Sequence, residues 1–222
     1  MNHKAYIHPE GWKFALIFFA ISIALTYIFL PLALLGYLLT FFTLWFFRNP
    51  ERNTEKDVNS IFSSADGKVC LIDEASPPPE LEMGQEKMLR VCVFMNVFNV
   101  HVNRTPISGE IQKIVYKAGS FLNASLDKAS EKNERSSMVI ANDNNIKIIV
   151  VQIAGLIARR ILGFVSEKQF LEQGERYGLI RFGSRVDIYM PLDATVTCAV
   201  GDKVIAGKSK LAKLNNTHEQ KA

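Results

Sequence analysis

The sequence predicts a mostly β (α+β) protein in which an N-terminal hydrophobic helical hairpin precedes a β-rich domain. Three observations carry that expectation. No charged residue occurs from Phe14 to Phe47. Beyond it lie short apolar runs rich in β-branched residues, among them RVCVFM, IKIIVVQIA, VDIYM and ATVTCAV. Gly, Pro or Asn separates these runs, as expected of strands joined by turns rather than of helices.

The uncharged stretch covers about 34 positions, more than the ~20 a bilayer-spanning helix needs. As one helix it would be about 50 Å long, against a hydrocarbon core of ~30 Å. Proline is disfavoured inside a helix and tolerated in its first turn, so Leu30-Pro31 is where the chain is expected to fold back, giving two spans of about 17 residues within residues 1–47. Trp12 and Trp45 occupy aromatic-belt positions, with Lys4 and Lys13 before the stretch and Arg48 and Arg52 after it. The positive-inside rule then puts both ends, and the domain that follows, on the cytoplasmic face of the cell (inner) membrane. A single tilted span, or a hairpin embedded in one leaflet, is the alternative. A signal peptide fits less well, because the apolar region is too long and no small-residue cleavage site follows.

Residues 48–60, RNPERNTEKDVNS, read as a polar linker, 61–214 as the β-rich domain and 215–222 as a tail. Loops are expected at EASPPPELEMGQEK (74–87), for its three prolines, and at LDKASEKNERSS (126–137), for its charge. The best short helix candidates are IARRIL (157–162) and SEKQFLEQG (166–174).

Several classes of function are set aside at this stage. The net charge of +4 comes without a basic tract interleaved with aromatics, so no nucleic-acid partner is expected and attraction to anionic lipid is the simpler use of the charge. Cys70, Cys92 and Cys198 are odd in number and set in apolar surroundings, which suggests buried free thiols; no metal-ligand motif is present and no metal is expected. There is no G-x-S-x-G elbow, P-loop or paired-carboxylate motif. His101 is the one imidazole outside the tails, Asp66 sits before a glycine as a turn aspartate does, and Ser184 follows Gly183 inside an otherwise strand-like run. Taken singly, each reads more readily as a structural residue than as a catalytic one.

Together, and in chain order, RNPER, SSADGKV, FNVHVNRTPISG, GSFLNASLDKASEKNER, QIAGLIARRI, GERYGLIRFGSRVDIYMP and VGDKVIAGKSKLA resemble the short bacterial form of phosphatidylserine decarboxylase, from about Arg48 to Leu214. The resemblance implies a barrel-sandwich type of β domain and a precursor that cuts itself at Gly183-Ser184 into a large subunit, 1–183, and a small one, 184–222. Ser184 would become the pyruvoyl cofactor, and the amine of phosphatidylserine in the membrane would form a Schiff base with it before carbon dioxide is lost and phosphatidylethanolamine released. His101 would handle protons, and Asp66 would orient a histidine and help to activate Ser184. Longer family members carry a second histidine three residues on, where this chain has Arg104; how His101 divides between self-cleavage and decarboxylation therefore stays open. Arg159, Arg160, Arg181 and Arg185 are candidates to bind the phosphodiester or carboxylate, or else to form structural ion pairs. Association of identical copies is left open. Two rival readings remain: a non-catalytic membrane-tethered carrier, suggested by the hairpin-like VTCAVGDKVIAGKSKLA, and a decarboxylase of another serine-headed phospholipid.

Overall fold

A computed structural model of the chain describes residues 5–119, 133–155, 160–181 and 184–215. These fall into two units, residues 1–51 and 52–222.

The first unit holds α1 (Pro9–Thr26) and α2 (Leu30–Phe46), which pack on each other. His8 caps α1, its Nδ1 accepting the Glu10 N–H at 3.3 Å, and Pro9 pre-sets the first turn. Pro31 likewise sits in the first turn of α2, so the chain reverses at residues 27–29, just ahead of the expected Leu30-Pro31. Gly36 lets the helices approach at Ser22, whose Oγ a Cβ on Gly36 would strike. The hydroxyls of Ser22, Thr26 and Thr43 bond carbonyls one turn back in their own helices, at 2.6, 2.9 and 2.8 Å, and so present no unsatisfied donor to an apolar surrounding. By length and composition α1 suffices to cross a membrane; α2 is one residue shorter and also apolar.

The second unit is built of strands in chain order: β1 (Ser60–Phe62), β2 (Gly67–Ala75), β3 (Met88–Met95), β4 (Val102–Arg104), β5 (Gly109–Lys117), β6 (Arg135–Ala141), β7 (Lys147–Ala154), β8 (Arg160–Gly163), β9 (Phe170–Leu171), β10 (Arg176–Arg181), β11 (Ser184–Met190), β12 (Thr195–Val196), β13 (Lys203–Val204) and β14 (Lys210–Lys213). An eight-stranded antiparallel sheet runs β13-β2-β3-β11-β7-β6-β5-β9, curled into a half-barrel, with bulges between Val69 and Leu71 and between Ile111 and Lys113. Two three-stranded sheets, β4-β10-β8 and β1-β14-β12, complete the unit.

Strand alternation gives the large sheet two buried faces. Val93, Met95, Val150, Val186 and Ile188 line the inner one, which the small sheets help to cover. Val139, Ile149, Val151, Ile153 and Tyr189 line the outer, under the proline loop. That loop makes one 3-10 turn, Pro79–Leu81, and is pinned down where Glu80 accepts bonds from Arg135 Nη2 at 2.5 Å and Ser137 Oγ at 2.9 Å.

Two expected helices are strands instead. SEKQFLEQG turns at Lys168, whose φ is +64°, and then forms β9, whose Phe170 and Leu171 pair with Glu110 and Gly109; nine residues are too few to hold a helix against that pairing. The described part of IARRIL is β8, held by β10; residues 157–159 lie outside the described residues. The charged loop expected over 126–137 has become β6 by Arg135, and its positions up to 132 lie outside the described residues. The three cysteines are thiols rather than disulfides, Cys92 buried and Cys70 and Cys198 half-buried.

Candidate active site

β10 belongs to a small sheet and ends at Arg181, whereas β11 belongs to the large one and begins at Ser184. Residues 182 and 183 therefore join strands of two different sheets. Gly183 itself lies outside the described residues, as does Arg159.

Ser184 is fully buried and pairs with Met95 on β3 and Ala154 on β7. It shares the parity of Val186 and Ile188, so its side chain faces the inner core. Among the described residues its Oγ has no hydrogen-bond partner. A buried hydroxyl normally has one, so this oxygen stands out, as do the buried Ser64 and Tyr177 hydroxyl oxygens.

β4 lies against that same end of the sheet. The Asn103 amide reaches the Met95 sulfur at 3.7 Å and accepts from Gln152 Nε2 at 2.8 Å, linking β4 to the strands on either side of Ser184. Gly178, across from Asn103, leaves room for this contact, since a Cβ there would meet the Gln152 amide. His101 stands two positions before Asn103, just ahead of β4; it too is fully buried, its carbonyl accepting Ile180 N at 3.2 Å and its Nδ1 lying 3.0 Å from the Asn99 carbonyl. The fold thus brings His101 and Ser184 to one end of the inner core.

Asp66 stands just before β2, next to β3, at the same end. Both its oxygens are held: Arg52 clamps it at 2.5 and 2.7 Å, and Ala206 N donates to Oδ1 at 2.9 Å. Arg52 closes the contact by donating to the Ala206 carbonyl at 2.8 Å. Arg104 donates instead to the Gly174 carbonyl at 2.7 Å.

The arginine candidates separate. Arg185 projects from the opposite face of β11 to Ser184 and is 1% exposed; its guanidinium forks onto Asp187 at 2.5 and 2.8 Å and touches the Cys92 sulfur at 3.0 Å. Burial, with Asp187 beside it, pushes the Cys92 thiol far up, so it stays protonated. Arg160 and Arg181, by contrast, are direct cross-strand partners in β8 and β10, two positions ahead of Gly183. The two residues thus stand side by side at the end of β10 that leads to Ser184.

Sequence reasoning missed Arg52, Asn103 and Gln152. Arg52 had a signal, as the last residue of RNPER, but was assigned to a linker. Gln152 showed as a polar residue inside an apolar run, with no means of seeing its partner.

Residues 39–212 match the family model described as Phosphatidylserine decarboxylase. That match makes the protein an enzyme, a carboxy-lyase, and removes the carrier reading of the last hairpin. Because it spans well over half of the 222 residues, the chain belongs to the phosphatidylserine decarboxylase family.

Proposed function

We propose that the chain converts phosphatidylserine to phosphatidylethanolamine and carbon dioxide after cutting itself at Gly183-Ser184. The observation that carries this reading is the buried, unpartnered Oγ of Ser184 at the start of β11. In the precursor that oxygen attacks the Gly183 carbonyl, and the acyl group moves from nitrogen to oxygen to give an ester. Removal of the Ser184 α-proton expels the Gly183 carboxylate and leaves dehydroalanine at 184; water then replaces its nitrogen, which departs as ammonia. Strand pairing of β11 on both sides holds the new terminus in place.

The resulting pyruvoyl ketone supplies an electron sink for loss of the substrate carboxyl group. The chain's own residues do the rest. His101, buried beside the site and held at Nδ1, is placed to take and return protons through its other nitrogen. Asp66, fixed by Arg52, contributes a carboxylate at the rim and supports the turn before β2. Arg160 and Arg181 bind the phosphodiester. The apolar helices hold the enzyme at the membrane that contains its substrate, with the β unit on the cytoplasmic side.

Intact mass tests this reading. The purified protein should give two chains, the smaller beginning at 184 and lighter by one ammonia than a serine-started peptide, while Ser184→Ala stays a single chain. One 25.0 kDa chain in both folded samples would refute self-cleavage.

A further inference from the structure

We propose that the Ser184 end of the half-barrel is itself a bilayer-docking edge, independent of the N-terminal helices, with the turn bearing Phe98 as its tip. The proposal rests on the membrane-lipid reading of the substrate above, and its occupant is the surface of a bilayer rich in anionic phospholipid.

The strand register defines this end. Ser184 lies level with the ends of β3, β5, β7 and β13 and with the starts of β2 and β6. Three large apolar or aromatic side chains stand exposed there: Phe98, 63% exposed in the turn after β3, Tyr116, 56% exposed next to the last residue of β5, and Ile205, 45% exposed just past β13. The exposed cations Lys68, Lys117 and Arg160 stand among them. Among the described residues, Asp66 is clamped by Arg52, Glu134 is buried and accepts from Ile161 N at 3.0 Å, and the exposed Asp202, near Lys68, accepts from Ala199 N at 2.8 Å. The opposite end of the same sheet also exposes apolar side chains, Phe170 and Leu192, but there Glu74, Glu110 and Asp143 are exposed beside Lys147. The two ends thus differ in charge rather than in apolar exposure, and the excess of exposed cations on the Ser184 end matches a negatively charged lipid surface.

The tip is rigid and tied to the site. Asn96 Oδ1 accepts Phe98 N at 2.8 Å, Asn99 Oδ1 accepts Asn96 N at 2.9 Å, and Asn99 N donates to the Asn96 carbonyl at 3.0 Å. The Asn99 carbonyl is also the group beside His101 Nδ1. Seating the turn in lipid therefore fixes the backbone that holds the imidazole, and sets the buried site at the surface where a lipid headgroup presents itself.

Bromolipid quenching of an added tryptophan tests the proposal without turnover. The full chain carrying Phe98→Trp, and separately Leu192→Trp at the opposite end, is reconstituted into phosphatidylcholine vesicles with and without phosphatidylglycerol, and the signal of the unsubstituted protein is subtracted. Brominated acyl chains should quench the tryptophan at 98 and leave that at 192 unaffected, and the effect should need phosphatidylglycerol and weaken with salt. No added quenching at 98, or equal quenching at both positions, would overturn the proposal. Phe98→Ser should raise the KM for phosphatidylserine in vesicles about tenfold while kcat on a dispersed short-chain analogue stays unchanged; an unchanged vesicle KM would also overturn it. Because phosphatidylglycerol is no substrate for serine decarboxylation, docking can succeed even if the decarboxylase reading fails, and the reverse.

Discussion

At the scale of single residues, the candidate site gathers groups poorly suited to burial. A buried serine hydroxyl with no partner among the described residues and a buried imidazole are both poor choices for stability, and the fold brings them to one end of the same core. Gly67 supports them from the next strand: a Cβ there would strike the Phe94 carbonyl, one residue before the partner of Ser184, so only glycine allows β2 to start so close to β3. His101→Gln keeps the shape of a polar side chain and loses the titrating ring. Decarboxylation by the processed variant should fall by about 10²-fold or more, and unchanged turnover would remove the imidazole from the proton transfers. The sequence made His101 and Ser184 candidates through residue type and neighbours. It could not show that Asp66 is committed to Arg52, because the two meet through tertiary contact with Ala206.

At the scale of elements, β11 serves two purposes on two faces. Inward it carries Ser184; outward it carries Arg185, Asp187 and Tyr189, in an ion-pair layer that also includes Arg90 and Asp73, joined at 2.6 Å. Breaking such a buried pair by removing one partner costs about 3–5 kcal/mol, so Arg185 belongs to the stability of the strand. The pairing of β1 with β14 is reinforced by a more exposed cluster, where Asp57 accepts from Ser60 Oγ at 2.7 Å and from Lys210 Nζ at 3.0 Å. The Ser60 hydroxyl first, then Lys210, lowers the Asp57 pKa from 3.8 to about 2. A depressed carboxylate stabilises the fold above its ordinary pKa and loses that contribution as pH falls through its folded value. The unfolding midpoint should therefore drop between about pH 4 and pH 2, and Asp57→Asn should flatten that part of the acid profile. Identical profiles for the two proteins would show that the cluster adds nothing.

At the scale of the whole molecule, the chain joins an apolar helical pair to a β-rich enzyme unit. If the helices anchor it as proposed, the protein should stay with membranes through a high-salt wash that strips surface-bound proteins, and detergent should release it. Release by salt alone would mean that charge, not the helices, holds it. The docking edge inferred above would be the salt-sensitive part of the same attachment.

The sequence by itself determined the order of elements: uncharged runs broken by Pro31, β-branched runs broken by turn residues, and a Gly-Ser pair between strands. These are local properties, set by side-chain hydropathy and backbone preference over a few residues. It misjudged SEKQFLEQG and IARRIL, since short segments take whatever conformation their neighbours' hydrogen bonds reward, and those neighbours lie far off in sequence. Only the tertiary structure decided that β10 and β11 belong to different sheets, that Asn103 and Gln152 bond each other from two strands, and that Arg185 faces away from Ser184 while Arg160 and Arg181 stand together. Each of these depends on strand register, where a shift of one residue reverses which face a side chain occupies, and register is fixed by packing across the whole sheet.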